Sequence, residues 1–352
     1  MNKTETMEAF DYTLPYKTYI DPQTFAEEKE KIFLNSWVLS GHTSQVEKVG
    51  DFFTFEIAGQ PLMISRDKNN ELNAFYNICP HRGTKVERNE QGNKKIFMCS
   101  YHGWTFKLDG KLNKAPNFNT NDLGNHSCMT PVQLEVYKSM IFVNLNPEAK
   151  PMTEIREELV KDLEKYTFLD SLKKIRVTER VIEANWKAVI DNYLECDHCK
   201  LAHPEFSKTF DMKNYHIDLH DGYTCQYSKL TNETSEEHAK FYWVWPNLMI
   251  SIYPGKDGNM TTSQILPLSP NRSLAIYSYY FQKDEMTEEQ KELIRFVDQV
   301  REEDFELVEL LQTGFDTQAF KQGIYSPQEY ALKYFHQRYE EEMDNNDLSA
   351  GR

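Results

Sequence analysis

Apolar and polar side chains alternate in a series of short stretches before about residue 148. Alternation with a period of two predicts strands that bury one face. The predicted strands cover residues 53–57, 62–65, 72–78, 95–98, 105–108 and 137–145, with Asp109-Gly110 as a hairpin turn. Together they predict a small antiparallel β domain over residues 40–148.

The pattern changes after Pro147 and Pro151, where a stretch rich in Glu and Lys predicts helix as far as residue 173. Further strands are predicted at 175–183, 223–230, 242–253, 261–268 and 274–281, and helices from 186, at 287–314 and at 327–343. A short helix after Asp21-Pro22 is assigned to the same part of the chain. Residues 1–39 and 149–352 are therefore predicted to form a second domain, an antiparallel sheet with helices around it, and the fold class is α+β.

Length and charge limit the functions that the chain can have. Its 352 residues give room for two domains with sizeable cores. A net charge of -15 argues against nucleic-acid and anionic-membrane partners, which need basic patches. No apolar stretch approaches the roughly 18 residues of a membrane span, and residues 1–10 do not resemble a signal peptide.

We therefore expect a cytoplasmic protein. Its six cysteines are then expected to be reduced thiols or metal ligands, because cytosolic disulfides are rare. Cys128 and Cys225 are expected to be small buried hydrophobic residues.

Two Cys-His pairs dominate the first domain. Cys79 and His81 are one residue apart, and Cys99 and His102 follow at a spacing of two. A zinc site and a Cys79–Cys99 disulfide are both possible, but zinc sites more often pair Cys with Cys and His with His. A Rieske [2Fe-2S] cluster has two thiolates on one iron and two imidazoles on the other, and we favour this interpretation of the four residues.

A second group of potential ligands lies between residues 191 and 204. On a regular helix Asp191, Glu195 and His198 fall within about 60° of one another, whereas His203 lies roughly 140° from His198. Because the residue before a proline avoids helical geometry, Pro204 is expected to end the helix and bring His203 back toward His198. Two histidines at a helix end can also be solvated residues, so this pattern alone does not define a metal site.

Two neighbouring patterns add alternatives. Cys196 and Cys199 form a lone CxxC pair, which is weak evidence for zinc or redox chemistry. His216 and His220 are interpreted as surface residues.

One carboxylate interrupts the apolar stripe of the 287–314 helix. The stripe comprises Leu293, Val297, Val300, Val308, Leu311 and Phe315, with Asp304 at its centre. The neighbouring Glu302, Glu303, Glu306 and Glu309 are expected to be solvated. A buried carboxylate needs a cation, and an Arg or Lys and a metal ion both remain open as the partner of Asp304.

These motifs, in this order, resemble those of the Rieske non-haem iron oxygenases, and the likeness to their terminal oxygenase (alpha) subunit extends from about residue 20 to 339. The resemblance implies a [2Fe-2S] cluster on Cys79, Cys99, His81 and His102 and a mononuclear Fe(II) on His198, His203 and Asp304. It implies a Rieske domain and a catalytic domain with a helix-grip (START-like) sheet. It also implies O2 as cosubstrate, a homotrimer, and electrons from NAD(P)H through a separate flavin- or ferredoxin-type reductase.

Glu195 matches the acid that bridges the two metal centres between subunits in this family. Many relatives have Asp there, and Glu resembles the subgroup acting on quaternary amines such as glycine betaine, choline and carnitine, as does the run 245–254. A quaternary ammonium is bound through aromatic faces. The candidate pocket residues are Trp243, Trp245, Tyr253, Phe206, Phe210 and Tyr193, each of which could equally be a core residue.

The predicted function is hydroxylation of a carbon next to nitrogen in a small quaternary or methylated amine, followed by demethylation or C–N cleavage. Two alternatives remain. The first is an aromatic-ring hydroxylating oxygenase on the same scaffold. The second is a Rieske electron carrier or ligand-binding module that has lost the mononuclear iron.

Overall fold

Antiparallel pairing builds the first half of the chain. The computed structural model describes residues 11–119, 122–231, 237–255, 257–317 and 319–345. The strands before residue 145 are β1 (Val38–His42), β2 (Asp51–Ile57), β3 (Gln60–Arg66), β4 (Leu72–Tyr76), β5 (Gln91–Asn93), β6 (Phe97–Met98), β7 (Thr105–Phe106), β8 (Leu112–Lys114), β9 (Gln133–Tyr137) and β10 (Met140–Asn144). Within the described ranges they form small sheets ordered β1-β10-β9, β4-β3-β2-β5 and β6-β7-β8.

A larger antiparallel sheet dominates the second half. Its strands are β11 (Lys173–Ile182), β12 (His216–His220), β13 (Tyr223–Lys229), β14 (His238–Val244), β15 (Leu248–Ile252), β16 (Asn259–Ser269) and β17 (Arg272–Phe281). In the described part of the chain their order is β11-β17-β16-β15-β14-β13-β12. Every strand except β11 therefore pairs with its neighbour in sequence, which explains the hairpin-like alternation in the sequence.

Helices cover this sheet. They are α1 (Pro22–Glu28), α2 (Met152–Ile155), α3 (Glu157–Glu164), α4 (Trp186–Tyr193), α5 (Cys199–Ala202), α6 (Pro204–Thr209), α7 (Glu288–Phe315) and α8 (Tyr330–Asn345). The long α7 begins with a reciprocal capping box between Thr287 and Gln290. Its buried side chains face the sheet, and Phe305 lies 5.8 Å from Tyr277 of β17, ring centre to ring centre. No helix in the described residues has both the length and the apolar character of a membrane span.

One hydrophobic core crosses the predicted domain boundary. Phe33, Ile64 and Val143 from the first half share a cluster of buried side chains with Trp186 and Phe335 from the second. The region that contains the two Cys-His pairs has its own core around Phe97, Trp104 and Phe106. The two halves thus hold each other in a fixed arrangement, because packed interiors deform little.

The α+β fold class predicted from the sequence is confirmed, and the differences lie in individual elements. The predicted strand 242–253 is a hairpin, because the Trp245-Pro246-Asn247 segment interrupts it and Val244 pairs with Leu248. The predicted strand 137–145 is likewise the turn and second strand of the β9–β10 hairpin. The helix predicted up to residue 173 is broken into α2, α3 and a short 3-10 turn. Strands β1, β5, β8, β9 and β12 were not predicted.

The apolar stripe of α7 is rotated slightly from its predicted position. Ile294, Val297, Phe305 and Val308 are buried, whereas Leu311 is 41% exposed. The reason is that the stripe of a 28-residue helix drifts around its axis, so a spacing that fits its centre fails near its end.

Cys225 is buried as expected, while Cys128 is only half-buried.

Candidate active site

The two loops that carry the Cys-His pairs, residues 79–84 and 99–104, have the same backbone geometry; we call them the cluster loops. In each loop the cysteine N–H donates to the carbonyl five residues on, and the glycine four residues on donates back to the cysteine carbonyl. The bonds run from Cys79 to Thr84 (2.8 Å), Cys99 to Trp104 (2.8 Å), Gly83 to Cys79 (2.9 Å) and Gly103 to Cys99 (3.1 Å). Gly83 and Gly103 both have φ of +70°, a conformation that favours glycine. The Gly after each ligand pair is therefore required by the turn.

The four candidate ligand side chains of the cluster form two separate pairs. Cys79 and Cys99 are buried free thiols, with the Cys99 thiol within hydrogen-bonding reach of Cys79. The rings of His81 and His102 lie 4.6 Å apart, and His81 stacks on Trp104 at 4.9 Å. Burial raises the pKa of the Cys79 thiol to about 11, so this thiol needs a bound cation to ionise.

This arrangement fits two irons better than one zinc ion. In the described residues only one group of three or more ligand atoms lies within 4.8 Å of one another, and the four cluster residues do not form it. A tetrahedral zinc site would bring all four ligand atoms that close. A buried thiol pair and an outer imidazole pair instead match the asymmetric ligand set of a Rieske cluster.

The second ligand group comes from a break between helices. Helix α4 ends at Tyr193, His198 precedes α5, and His203 lies between α5 and α6 with φ -122° and ψ 73°. The predicted break before Pro204 is confirmed. A regular helix through His198 is not found, because the chain turns at residues 194–198.

The ligand atoms converge with Asp304 of α7. His203 Nε2 lies 2.8 Å and His198 Nε2 3.3 Å from Asp304 Oδ1, and the three ligand atoms lie within 4.8 Å of one another. The partner of Asp304 is therefore a pair of imidazoles, not an Arg or Lys. Two histidines and one carboxylate on one side of a centre are the ligands of non-haem Fe(II) oxygenases, which leave positions open for O2.

A carboxylate orients each imidazole. Glu195 Oε1 bonds His198 Nδ1, and Glu303 Oε2 bonds His203 Nδ1 at 2.8 Å. With Nδ1 protonated and donating, each Nε2 presents its lone pair toward the metal position. The expectation that Glu303 is solvated was wrong: residues adjacent on a helix point about 100° apart, and His203 reaches across to both Asp304 and Glu303.

Charge in this group favours a cation. Burial opposes protonation of His198, but the carboxylates of Asp304 and Glu195 outweigh it and raise its pKa to about 9. Burial of Asp304 is likewise outweighed by the two histidines, which lower its pKa. A site with this much negative potential around imidazole nitrogens suits a divalent metal ion, which displaces the imidazole proton.

Asp191 does not join this site. Its carboxylate accepts hydrogen bonds from Tyr19 Oη at 2.6 Å and His336 Nε2 at 2.9 Å, and it is not among the three side chains whose ligand atoms converge. His336 in turn contacts Tyr325 Oη at 2.6 Å through Nδ1. Asp191, Glu195 and His198 do line one outer groove, as their predicted shared side implies, but helical periodicity is not the reason, because α4 ends before Glu195.

The CxxC pair is a disulfide, contrary to the prediction that all six cysteines are thiols or metal ligands. Cys196 and Cys199 are joined, with their Cα atoms 5.1 Å apart. Cys196 directly follows Glu195 and Cys199 directly follows His198, so the bond closes a short turn that contains His198 and begins next to Glu195. His216 and His220, read as surface residues, lie on β12, where His216 is exposed and His220 half-buried.

A cavity extends from the three candidate metal ligands His198, His203 and Asp304. Of the predicted pocket residues, Tyr193, Phe206 and Tyr253 line it. Further aromatic walls come from residues that sequence reasoning missed, namely Tyr215, Phe241, Tyr277, Phe296 and Phe305. Arg301 also lines it, and no other Arg or Lys does so among the described residues; its position one turn before Asp304 was the signal that could have identified it.

Three predicted pocket residues do not line the cavity. Phe210 packs behind Phe206, with ring centres 4.6 Å apart. Trp243 is fully buried and packs against Phe335 of α8 at 5.4 Å; Trp245 is its neighbour at 6.1 Å. These tryptophans are core residues because α8 covers their end of β14.

Both halves of the chain match known protein families. Residues 36–138 match the Rieske [2Fe-2S] domain, and residues 169–345 match the catalytic domain of the ring hydroxylating alpha subunit. The chain belongs to the Rieske non-haem iron oxygenases of the ring hydroxylating alpha subunit family. It is a monooxygenase that uses a Rieske cluster, a mononuclear iron and O2, and the non-enzyme alternative does not apply.

Individual relatives are similar over nearly the whole chain. The carnitine monooxygenase oxygenase subunit of Escherichia coli K12 is 36% identical, with 88% of this chain and 86% of that protein covered. The chloroplastic choline monooxygenase of Atriplex hortensis is 28% identical, covering 92% and 76%. The crystal structure of the quaternary ammonium Rieske monooxygenase CntA with L-carnitine has a TM-score of 0.86 at 31% identity, covering 95% and 96%.

Proposed function

We propose that this enzyme oxidises a small quaternary or methylated amine of the glycine betaine, choline or carnitine type. Hydroxylation of a carbon bonded to nitrogen gives an unstable product that loses the methyl group as an aldehyde or breaks the C–N bond. The observation that carries the proposal is an aromatic-walled cavity ending at the His198, His203 and Asp304 ligands. The carnitine and choline monooxygenases among its relatives support it.

The cavity suits a compact cation. A quaternary ammonium has no N–H to donate, so it binds to aromatic faces rather than to hydrogen-bond acceptors. The cavity encloses about 120 Å³, well below the roughly 300–1,000 Å³ of sites for drug-sized ligands. Its walls include the parallel rings of Phe206 and Phe296, whose centres are 6.4 Å apart.

We assign the metal ligands as predicted from the sequence. Cys79, Cys99, His81 and His102 would hold the cluster, and His198, His203 and Asp304 the iron. The cluster supplies electrons, and the iron activates O2. The chain's own residues orient these ligands: Glu195 and Glu303 hold the Nδ1 protons of His198 and His203, and Trp104 fixes the plane of the His81 ring. The domain limits of 40–148 for the cluster domain, with 1–39 and 149–352 for the catalytic domain, belong to the same proposal.

The surface supports assembly of several copies, and we infer a homotrimer. Exposed apolar side chains surround the cluster loops, where Met98 is 60% and Tyr101 58% exposed. Leu201 and Leu310 are also exposed, and Leu307 and Leu311, which neighbour Leu310 on α7, line an outer groove that reaches Glu195. Two different patches on one chain favour head-to-tail contacts between copies. Such contacts form a closed ring, here a trimer, when the rotation between neighbouring copies closes.

In such a ring, Glu195 would join His198 to the partner subunit's His102 and provide the electron path between the centres. Electrons would come from NAD(P)H through a separate flavin- or ferredoxin-type reductase, and the enzyme would work in the cytoplasm. The net charge of -15 argues against nucleic-acid and anionic-membrane partners, which need basic patches.

Substrate screening tests the proposal. The enzyme, a heterologous reductase and NADH would be incubated with glycine betaine, choline, L-carnitine and aromatic carboxylates, and O2 uptake and aldehyde release measured. We expect coupled turnover with at least one amine and none in Asp304→Ala, which should keep the cluster. Turnover with aromatic compounds alone would establish the aromatic-ring alternative instead.

A further inference from the structure

Arg301 introduces a positive charge into the wall of the cavity. It lies one turn before Asp304 on α7, so both side chains leave the helix on the same side. No other Arg or Lys lines the cavity among the described residues. The side chain of Arg301 is only 11% exposed, so its charge is largely removed from solvent.

Neutral groups hold the guanidinium in place. Its carbon lies 3.8 Å from the centre of the Tyr277 ring. Nη1 donates to Tyr279 Oη at 2.8 Å, and Nη2 donates to Ser263 Oγ at 3.0 Å. These contacts fix the orientation of the planar group, but they do not neutralise it.

The nearby carboxylate is shared between two arginines. Asp298 lies 3.8 Å from Arg301 Nη1 and 3.4 Å from Arg176 Nη2, and it also accepts a hydrogen bond from the Tyr279 hydroxyl. The two carboxylates of the cavity wall, Asp304 and Glu195, are bonded to the histidines, so Asp298 is the carboxylate nearest the guanidinium and compensates it only in part. Since a buried, incompletely compensated cation is costly, a further anion in the cavity would be stabilised there.

We propose that Arg301 binds the carboxylate of the substrate, so that the enzyme selects zwitterionic quaternary amines over purely cationic ones. This inference rests on the proposed function and narrows it. A guanidinium fork matches a carboxylate through two parallel hydrogen bonds. The same charge repels an ammonium group, so Arg301 rejects choline as well as attracting betaines.

The two charges also orient the substrate. An amine with a carboxylate at one end places that end at Arg301, because the reversed pose would put the ammonium group against the guanidinium. The ammonium group then contacts the remaining aromatic walls, which include Phe206, 6.5 Å from the iron ligand His203. Arg301 thereby acts as a specificity-determining residue that presents the N-methyl end to the iron.

Substitution of Arg301 tests this role in the reconstituted holoenzyme. In Arg301→Gln the KM for L-carnitine and glycine betaine should rise on the order of 10- to 100-fold, because a charge-assisted hydrogen bond to the carboxylate is lost. The KM for choline should change much less or fall, so the carboxylate preference collapses. Arg301→Lys, which keeps the charge without the fork, should retain part of the preference.

Arg176→Gln is the matched control, because Arg176 contacts the same Asp298 from outside the cavity. It should keep the wild-type preference; collapse of the preference in this variant too would assign the effect to Asp298 and overturn the proposal. Iron content and the visible spectrum of the cluster verify that each variant is folded.

A comparison on the wild-type enzyme needs no variant. The methyl ester of glycine betaine lacks the negative charge, and it should bind at least about 10-fold more weakly than glycine betaine in anaerobic titrations. Equal binding would refute the carboxylate contact. Efficient choline turnover with no preference for carboxylates would overturn this inference and leave the amine oxygenase intact, whereas no turnover of any amine would overturn both.

Discussion

Each imidazole of the mononuclear site is held from both sides. His203 Nε2 faces Asp304, while its Nδ1 is bonded to Glu303 at 2.8 Å. Partners of this kind fix the tautomer and the ring orientation and raise the basicity of the ligand. The role of Glu303 is therefore to position His203, although Glu303 does not touch the metal position in the described contacts.

Removing Glu303 should weaken iron binding. We expect Glu303→Ala to lose roughly 10- to 100-fold in Fe(II) affinity, because His203 then has no fixed tautomer. After dialysis against a chelator, the iron content should fall from about three toward two per chain, with the cluster retained. Glu303→Gln, which keeps an acceptor, should recover part of the affinity.

Glu306→Ala is the control for this experiment, since Glu306 is exposed on the same helix. It should bind iron like the wild type. Full iron retention in Glu303→Ala would contradict the positioning role.

A second buried histidine should make the folded state sensitive to acid. Burial and the nearby positive charge of Lys174 lower the pKa of His42 to about 4, against about 6.5 in an unfolded chain. Between these values the unfolded state binds the extra proton, so stability falls as the pH drops from 6.5 through 4. Once the pH is low enough for His42 to be protonated in the folded state as well, the free energy of unfolding is lower by about 3 kcal/mol.

Replacement by asparagine should reduce this sensitivity. His42 Nδ1 accepts the Ser44 N–H at 3.2 Å, and an Asn side chain can make the same local bond without titrating. The Tm of His42→Asn should therefore fall less between pH 7 and pH 5 than that of the wild type. His216→Asn, at an exposed position, should show the wild-type drop; an equal drop in all three proteins would exclude His42 as the cause.

At the scale of elements, the loop between α4 and α5 determines the site. The chain leaves α4 at Tyr193, and the Cys196–Cys199 disulfide closes the turn around His198. Glu195 and His198 are thereby held within one short loop, where Glu195 Oε2 also accepts the Asp197 N–H at 2.6 Å. The spacing of residues in this loop follows from the turn and not from helical periodicity.

Thiol labelling checks the disulfide. Of the six cysteines, two are joined and Cys79, Cys99, Cys128 and Cys225 are free. Protein purified without reductant, denatured and stripped of its cluster should therefore react at four thiols, and at six after treatment with dithiothreitol. Six reactive thiols without reductant would mean that the pair is reduced, as the sequence alone predicts.

For the whole molecule, the two apolar patches make assembly testable. Leu310 is 69% exposed on α7, on the helix that supplies Asp304. Burying a charge there without a partner is unfavourable, so Leu310→Glu should weaken the trimer and reduce turnover while both metal centres load normally. Light scattering should show the wild type at about three times the 41.5 kDa chain mass and the variant at a smaller mass.

Leu268→Glu provides the comparison, because Leu268 is 47% exposed at the end of β16, outside the proposed contact surface. This variant should remain a trimer. A wild-type protein that is monomeric at micromolar concentration and fully active would contradict an electron path between subunits.

The sequence was most informative where the chemistry is local. The Cys79-His81 and Cys99-His102 pairs each lie within one turn, so their spacing alone carries the geometry of the loop. Likewise, Pro204 predicts the break that frees His203, since proline acts on the residue directly before it. The antiparallel strands also followed from the sequence, because alternation with a period of two is a property of each strand by itself.

The sequence by itself thus determined the fold class and the order of the two domains, and its resemblance to the family supplied the proposed ligand residues. Only the tertiary structure brought His203 beside Asp304 and Glu303, turned Asp191 toward Tyr19, buried Trp243 under α8 and placed Arg301 in the cavity wall. The physical reason is that periodicity states which face of an element is buried, whereas the identity of the neighbour depends on contacts between segments far apart in the chain.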